Sequence, residues 1–356
     1  MNAKLEQLWQ SIREKIKFGR PSWMTVKASK GWKKPIGYSL IVILIIWVAL
    51  AIYWSQEPKY QDVVSLAQRS VEQQGQTMVV GYTTAFTLKH LTDTLLNKPG
   101  GYLSNDVMPP SVFLDNMPNW EFGVVIQLRD LSRALRKDMS RSQSQSTEDV
   151  DLVEAEPLYH FNNDSWILPA TEGEYRKAAR YIDQYLQRLA DPVEGDAQFY
   201  ARADNLSSWL KDVETRLGSL SQRLSASVGQ TRYNTDLAGE RNASQSTPVS
   251  EQAQVKTPRF EVDNIFYEAR GYSWALIHVL RAIEVDFADV LEDKTALVSL
   301  QQIIRELEST QETVWSPFIM NGSGFGMLAN HSLVMANYIS RANAAIIDLR
   351  ELLDKG

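Results

Sequence analysis

One apolar stretch without a charged residue interrupts the mixed pattern of hydrophobic and polar positions along the chain. This stretch, Ile36 to Trp54, reads IGYSLIVILIIWVALAIYW and covers nineteen residues. At the helical rise of about 1.5 Å per residue it is roughly 28 Å long, close to the ~30 Å hydrocarbon thickness of a bilayer. We therefore predict a transmembrane helix, with these membrane-anchor residues: Ile36, Tyr38, Trp47, Tyr53 and Trp54.

A cleavable signal peptide is the alternative interpretation of this stretch. Ala49, Leu50 and Ala51 form the A-x-A tripeptide that signal peptidase cuts. The tripeptide lies inside the apolar run, however, and a long basic region precedes that run. A cleavable signal has a shorter apolar core and a polar cleavage region. The position of the tripeptide favours an uncleaved anchor.

The charge on the two sides of the apolar stretch is opposite in sign. Residues 1–35 carry nine basic and two acidic side chains, a net charge of +7, whereas the chain beyond residue 54 carries 28 basic and 41 acidic ones, a net charge of −13. Because Lys and Arg beside a span stay in the cytoplasm, we expect a cytoplasmic N-terminus and a periplasmic C-terminal domain in a bacterial inner membrane. An acidic exported domain argues against nucleic acid as a partner.

Apolar residues elsewhere recur at spacings of three and four, which predicts an all-α fold with seven or eight helices in a periplasmic bundle. Leu5, Leu8, Trp9, Ile12 and Ile16 predict a basic surface helix on the lipid bilayer. The predicted regions are a cytoplasmic tail at 1–35, the span at 36–54, a helical region at 55–139, a polar linker at 140–150, a helical hairpin at 151–228, a flexible tract at 229–258 and a C-terminal helical region at 259–356.

Residues 102–120 read YLSNDVMPPSVFLDNMPNW and interrupt the helical pattern. Three prolines exclude a regular helix, yet the segment is too apolar for a free loop. We predict an ordered connection that packs on the helices. Further along, Thr171 and Glu174 have the spacing of a capping box, which predicts a helix from Thr171 to about Leu189.

A heptad seam is the clearest periodic feature beyond the span. Its apolar positions alternate steps of four and three: Phe199, Ala203, Leu206, Leu210, Val213, Leu217, Leu220 and Leu224. Such a seam packs knobs into holes against another helix and is partly coiled-coil-like. It covers under four heptads, which favours a helical pair within the chain over a dimeric coiled coil, and both remain open.

The helix predicted from Phe260 to about Leu291 is apolar on two faces. One face carries ordinary core residues, and the other carries Tyr267, Trp274 and His278. Such a helix is either central to a bundle or faces a partner. The last helix has a polar edge beside its apolar face. We predict one possible partner or ligand face from these residues: Tyr267, Trp274, His278, Asn330, His331, Asn337 and Arg341.

Motifs for catalysis or metal binding are absent from the sequence. Four histidines and no cysteine give no H-E-x-x-H pair and no thiol nucleophile, and no G-x-S-x-G elbow or P-loop occurs. Glycines at 322, 324 and 326 lack the preceding strand and following Lys of a phosphate loop. We predict no catalytic residue, cofactor or metal. Plentiful Asp and Glu leave a paired-carboxylate hydrolase open.

Several long runs resemble a known family, among them GYLSNDVMPPSVFLDNMPNWEFGVVIQLRDLSRALR, RSQSQSTEDVDLVEAEP, QFYARADNLSSWL and RLGSLSQRLSASVG. They are similar to the hallmark stretches of an uncharacterised proteobacterial family. This resemblance covers nearly the whole chain and implies a single-span inner-membrane protein with a periplasmic domain of unknown function. It implies no catalytic residues.

The expected function is that of a non-enzymatic, membrane-tethered scaffold or adaptor of a cell-envelope complex. The heptad seam and the two-faced helix favour it, because both offer helical faces to a periplasmic or inner-membrane protein partner. One alternative is a ligand-sensing or lipid-binding bundle, which requires a cavity. The other is a cell-wall hydrolase, which requires converging carboxylates.

Overall fold

The apolar stretch forms one continuous helix, α1 (Lys33–Trp54). This computed structural model describes residues 33–142, 147–191, 196–233, 252–316, 318–321 and 327–355. The chain divides into two units, Met1–Leu50 and Ala51–Gly356, and we call the second the helical body. From Pro35 to Trp54, α1 is long and apolar enough to cross a membrane, and no residue of its most apolar window is buried in the protein.

The described part of the chain is mainly helical with almost no strand, which confirms the predicted fold class. Ten helices follow α1 among the described residues: α2 (Val63–Gln74), α3 (Tyr82–Asn97), α4 (Asn116–Ala134), α5 (Val150–Tyr159), α6 (Thr171–Leu189), α7 (Ala203–Ser225), α8 (Val262–Asp286), α9 (Ala288–Asp293), α10 (Leu297–Glu308) and α11 (His331–Asp354). The sequence pattern misses the short helices α5 and α9 as separate elements.

Some predicted segments lie outside the described residues. These are the basic surface helix at Leu5–Ile16, residues 143–146 of the polar linker, residues 234–251 of the flexible tract and the glycines at 322, 324 and 326. The two ends of the flexible tract form antiparallel strands, β1 (Gln230–Tyr233) and β2 (Gln252–Val255), with Gln230 opposite Val255. The sequence pattern predicts no strand there.

Side-chain caps fix the starts of several helices. Asp62 accepts a hydrogen bond from the Ser65 amide at the start of α2, and Asp149 accepts from the amides of Asp151 and Leu152 at the start of α5. The capping box predicted at Thr171 is wrong, because Ala170 occupies the cap position. The Thr171 hydroxyl instead donates to the carbonyl of Asn162 and holds the preceding loop.

Helix α8 is the central element of the body. It packs against α2, α3, α4, α7, α10 and α11, and all but a few of its side chains are buried. Its tightest contact is the crossing with α4, where Gly123 faces the Glu268 carbonyl and Gly271 faces the Trp120 carbonyl. A Cβ atom at either glycine would collide with the facing backbone. The two helices therefore approach more closely than larger residues permit.

The heptad seam lies on α7 and packs chiefly against α11 of the same chain. Its core members from Leu206 to Leu224 are buried, each less than 4 % exposed. The seam is therefore filled within the chain.

The connection between α3 and α4 is ordered, but only part of it packs on the helices. Tyr102 and Leu103 are buried, whereas Met108 and Phe113 are 70 % and 73 % exposed. A buried ion pair fixes its start, with Lys98 Nζ 2.6 Å from Glu121 Oε1. Glu121 also accepts hydrogen bonds from the amides of Leu103 and Ser104 and from the Ser104 hydroxyl.

Candidate functional site

A cavity of about 750 Å³ opens beside the segment that follows α1. We call residues Ser55–Gln61 the exit segment and this cavity the exit cleft. The exit segment forms one wall of the cleft, α8 forms a second, and residues from Glu308 to Val314 at the end of α10 form the third. Tyr267, Trp274 and His278 of the predicted face line the cleft together. Their spacing of seven and four places them on one side of α8.

Arg270 of α8 fastens two walls of the cleft to each other. Its Nε and Nη2 atoms donate to the Glu57 carboxylate at 2.9 and 2.7 Å, and its Nη1 donates to the carbonyls of Thr310 and Glu312, both at 2.9 Å. The planar guanidinium suits this arrangement because it offers a fork of donors with fixed geometry. The side chain is only 9 % exposed, so the Glu57–Arg270 pair is shielded from solvent.

His278 forms a second fastening point, one turn from Trp274. Its Nδ1 lies 2.7 Å from the Trp274 carbonyl, and its Nε2 lies 3.1 Å from the backbone nitrogen of Gln61. The Gln61 amide can only donate a hydrogen bond, and the Trp274 carbonyl can only accept one. His278 Nε2 therefore accepts and Nδ1 donates, so the ring is the neutral tautomer protonated on Nδ1. Burial lowers the pKa of His278 to about 4, so the ring is uncharged at neutral pH.

Aromatic rings surround these polar contacts. The Tyr60 ring lies 4.9 Å from that of His278, which in turn lies 4.5 Å from the ring of Trp274. Trp120 of α4 packs on Trp274 with ring centroids 5.1 Å apart, directly at the glycine crossing. The exit segment is therefore held on α8 by one ion pair, one backbone hydrogen bond and ring packing.

The predicted residues on α11 lie elsewhere. Asn330 caps α11 by accepting from the Leu333 amide, and His331 Nδ1 accepts from the Met320 amide at 2.9 Å. Arg341 pairs with Glu306 of α10 at 2.5 Å, and Asn337 is exposed. None of these four lines the exit cleft. The polar edge of α11 thus contacts neighbouring elements and does not join Tyr267, Trp274 and His278.

The sequence interpretation missed Glu57 and Arg270, which lie 213 residues apart. The one available signal was an arginine in the middle of a helix that is otherwise apolar on two faces, since such a charge needs a partner. Nothing in the pattern identified Glu57 as that partner.

Both acidic side chains of the exit cleft form ion pairs that hold elements together. Glu57 pairs with Arg270, and Glu308 pairs with Arg281 at 3.0 Å. No group of three His, Asp or Glu side chains placed to hold a metal ion occurs in the described part of the chain. The arrangement is chemically suited to fixing the exit segment on α8.

The fold and the cleft define an all-α protein with an uncovered apolar helix in its N-terminal part. The segment that follows this helix is fastened to α8. The chain belongs to the family described as "Uncharacterized protein conserved in bacteria (DUF2333)", whose model matches residues 26–356. The predicted resemblance is confirmed as far as an uncharacterised bacterial family covering most of the chain. No curated protein and no solved structure matches the chain.

Proposed function

We propose that this protein is a non-enzymatic scaffold or adaptor of a cell-envelope complex, anchored in the inner membrane by α1 with its helical body in the periplasm. The uncovered apolar surface of α1 supports the anchor, because an apolar helix of this length would be buried if it belonged to a soluble core. The net charge of +7 on residues 1–35 supports a cytoplasmic N-terminus.

The fastening of the exit segment is the observation that carries the scaffold proposal. Glu57 and Gln61 are bound to Arg270 and His278 within seven residues of the end of α1. A body tied so soon after its anchor has no long flexible linker. A scaffold that presents surfaces to membrane-proximal partners needs this property.

A lipid- or ligand-binding bundle is the second candidate, and the exit cleft favours it. A volume of about 750 Å³ is within the size range of small-molecule sites, and Tyr60, Tyr267 and Trp274 give it aromatic walls. The hydrolase alternative gains no support here, because both acidic side chains of the cleft, Glu57 and Glu308, are paired with arginines.

Crosslinking in intact bacterial cells, followed by purification of the full-length protein, tests the scaffold proposal. We expect an envelope or membrane protein to copurify reproducibly at a near-equal amount. Recovery of this chain alone, as a monomer or homodimer, would contradict the scaffold proposal and favour the lipid- or ligand-binding bundle.

A matched pair of variants tests whether the fastening matters for that partner. Glu57→Gln removes the ion pair with Arg270, and Glu308→Gln removes the ion pair with Arg281 in the same cleft. We expect the first variant to reduce the crosslinked partner and the second to leave it unchanged. Equal partner recovery from both variants would show that the fastening is not needed for presentation.

A further inference from the structure

Exposed aromatic rings of the helical body are confined to segments outside the α-helices. Beyond α1, the exposed aromatic side chains among the described residues are Tyr60, Phe113, Trp166, Phe260, Trp315 and Phe318. Trp315 is 92 % exposed and Phe260 is 87 % exposed. Full exposure of such large rings to water is unfavourable, so their concentration in loops indicates an interaction surface.

Three of these rings line or adjoin a second cavity that meets the exit cleft at Tyr267. A second cavity of about 1000 Å³ is lined by Phe260 and Phe318, and Tyr267 belongs to the walls of both this cavity and the exit cleft. Trp315 lies in the chain between Val314, which lines the exit cleft, and Ser316, which lines the second cavity. The rings of Phe260, Trp315 and Phe318 therefore belong to the surface that adjoins the exit cleft.

The remaining loops join the same region. Asp115, two residues after Phe113, lines the second cavity, and the Asn105 side chain donates to the Ser165 carbonyl at 2.8 Å beside Trp166. Trp54, the last residue of α1, packs on Gly100 at the start of this connection, where a Cβ atom would lie 2.7 Å from the Trp54 ring. Gly100 has a φ of +86°, which glycine adopts without strain.

Charge at this surface is balanced. The second cavity is lined by two cations, Lys256 and Arg259, and by two carboxylates, Asp115 and Asp263. A binding surface for a strongly charged ligand would carry an excess of one sign. Uncharged surfaces that expose Trp and Phe rings are instead typical of segments that lie at the level of lipid headgroups.

We propose that Phe113, Trp166, Phe260, Trp315 and Phe318, here called the aromatic rim, insert into the headgroup layer of the bilayer that α1 spans. The rim is a second membrane contact, made by the helical body itself, and its ligand is the phospholipid surface. This inference rests on the membrane anchor in the proposed function. It goes beyond the anchor because a span needs no contact between its soluble body and the lipid.

The absence of cysteine from the chain allows a direct test with the full-length protein. Single cysteines are introduced by Phe260→Cys, Trp315→Cys or Phe318→Cys and labelled with a polarity-sensitive fluorophore. Each protein is reconstituted in phosphatidylcholine vesicles with and without spin-labelled lipid. Because the charges of the rim are balanced, no anionic lipid is needed. We expect blue-shifted emission and strong quenching by the spin-labelled lipid at all three positions.

Two further labels separate the anchor from the rim. Val298→Cys on α10 is the matched control, since Val298 is 76 % exposed and lies ten residues from Glu308, about 15 Å along the helix. Its label should stay unquenched. Trp47→Cys reports on the span and should be quenched. Matching thermal unfolding of all variants shows that each is folded.

The outcomes are distinct. If the label at 47 is quenched but the rim labels behave like the label at 298, the rim proposal is wrong and the anchor stands. If the label at 47 is also unquenched, the anchor itself is wrong and the rim proposal falls with it. Rim cysteines that are unquenched in vesicles but shielded from thiol reagents in intact cells would show that a protein covers the rim, which also overturns lipid contact.

Discussion

At the scale of single residues, buried charges in this protein are satisfied by several partners at once. The Lys98–Glu121 pair is fully shielded, and Lys98 also donates to the Gly101 carbonyl at 2.6 Å. Burial raises the pKa of Glu121, while Lys98 and the donors from Leu103 and Ser104 act in the opposite direction. Such a pair adds little net stability, because removing both charges from water offsets their attraction. Losing one member is far more costly.

The Lys98→Met variant should therefore be strongly destabilised. It leaves the Glu121 carboxylate buried without its cation, which we expect to reduce the free energy of unfolding by about 3 kcal/mol. Denaturant unfolding of the full-length protein in detergent measures the change. The double variant Lys98→Met with Glu121→Gln should recover most of the loss, because the uncharged Gln oxygen can still accept from the Leu103 and Ser104 amides. A single variant as stable as the native protein would show that the carboxylate is protonated or hydrated there.

A second prediction at this scale concerns pH. Burial depresses the pKa of His278 to about 4 from an ordinary value of 6.5, so between these pH values the unfolded chain binds a proton that the folded chain does not. The contribution of His278 to the free energy of unfolding is therefore fully present above pH 6.5 and is lost as the pH falls towards 4. We expect a loss on the order of 2 kcal/mol from this group by pH 5, measured by denaturant unfolding.

His278→Gln is the control for this pH dependence. Its amide oxygen replaces the acceptor for the Gln61 amide without titrating. We expect the variant to lose less stability than the native protein on acidification. Some loss should remain, because burial also lowers the pKa values of His90 and His331. An equal loss in both proteins would contradict the assignment to His278.

At the scale of helices, the periodic pattern predicted the long elements well because each buries one apolar stripe. Helix α7 is an example, and its seam is filled by α11. The short helix α5 was missed because it contains Pro157 and has no clean stripe. The hairpin of β1 and β2 was missed because its strands are only four residues long, too short for an alternating pattern to stand out from the polar tract around them.

The α4–α8 crossing depends on Gly271 and gives a prediction for this scale. Alanine there improves helix propensity by about 1 kcal/mol, but its Cβ atom would collide with the Trp120 carbonyl. The backbone of Trp120 cannot move aside as a flexible side chain can. Gly271→Ala should therefore reduce the free energy of unfolding by about 2 kcal/mol or more, measured as a lower denaturant midpoint.

Gly173→Ala in α6 is the matched control for the crossing. A Cβ atom at Gly173 would have no neighbour within 4 Å, so only the propensity gain applies. We expect this variant to be more stable by about 0.5–1 kcal/mol. Gains of equal size at both positions would mean that α4 and α8 can separate without cost.

At the scale of the whole molecule, sequence alone identified the apolar helix and the all-α body but only part of the exit cleft. Tyr267, Trp274 and His278 were found because they share one helix face. Glu57 was missed, and the four predicted residues of α11 lie apart from the exit cleft, because these positions depend on packing between segments distant in sequence. The aromatic rim was hidden for the same reason, since its rings come from four separate loops.

The proposed topology gives the prediction for this scale. Each Lys or Arg near an anionic cytoplasmic leaflet is favoured by about 1 kcal/mol, so the net charge of +7 on residues 1–35 should hold the N-terminus inside. A cysteine from Asp293→Cys, an exposed site in the helical body, should then react with a membrane-impermeant maleimide in cells whose outer membrane is permeabilised. A cysteine from Asn2→Cys should react only after lysis. The reverse pattern would place the body in the cytoplasm and overturn the periplasmic scaffold, whereas the aromatic rim would then face the inner leaflet of the same membrane.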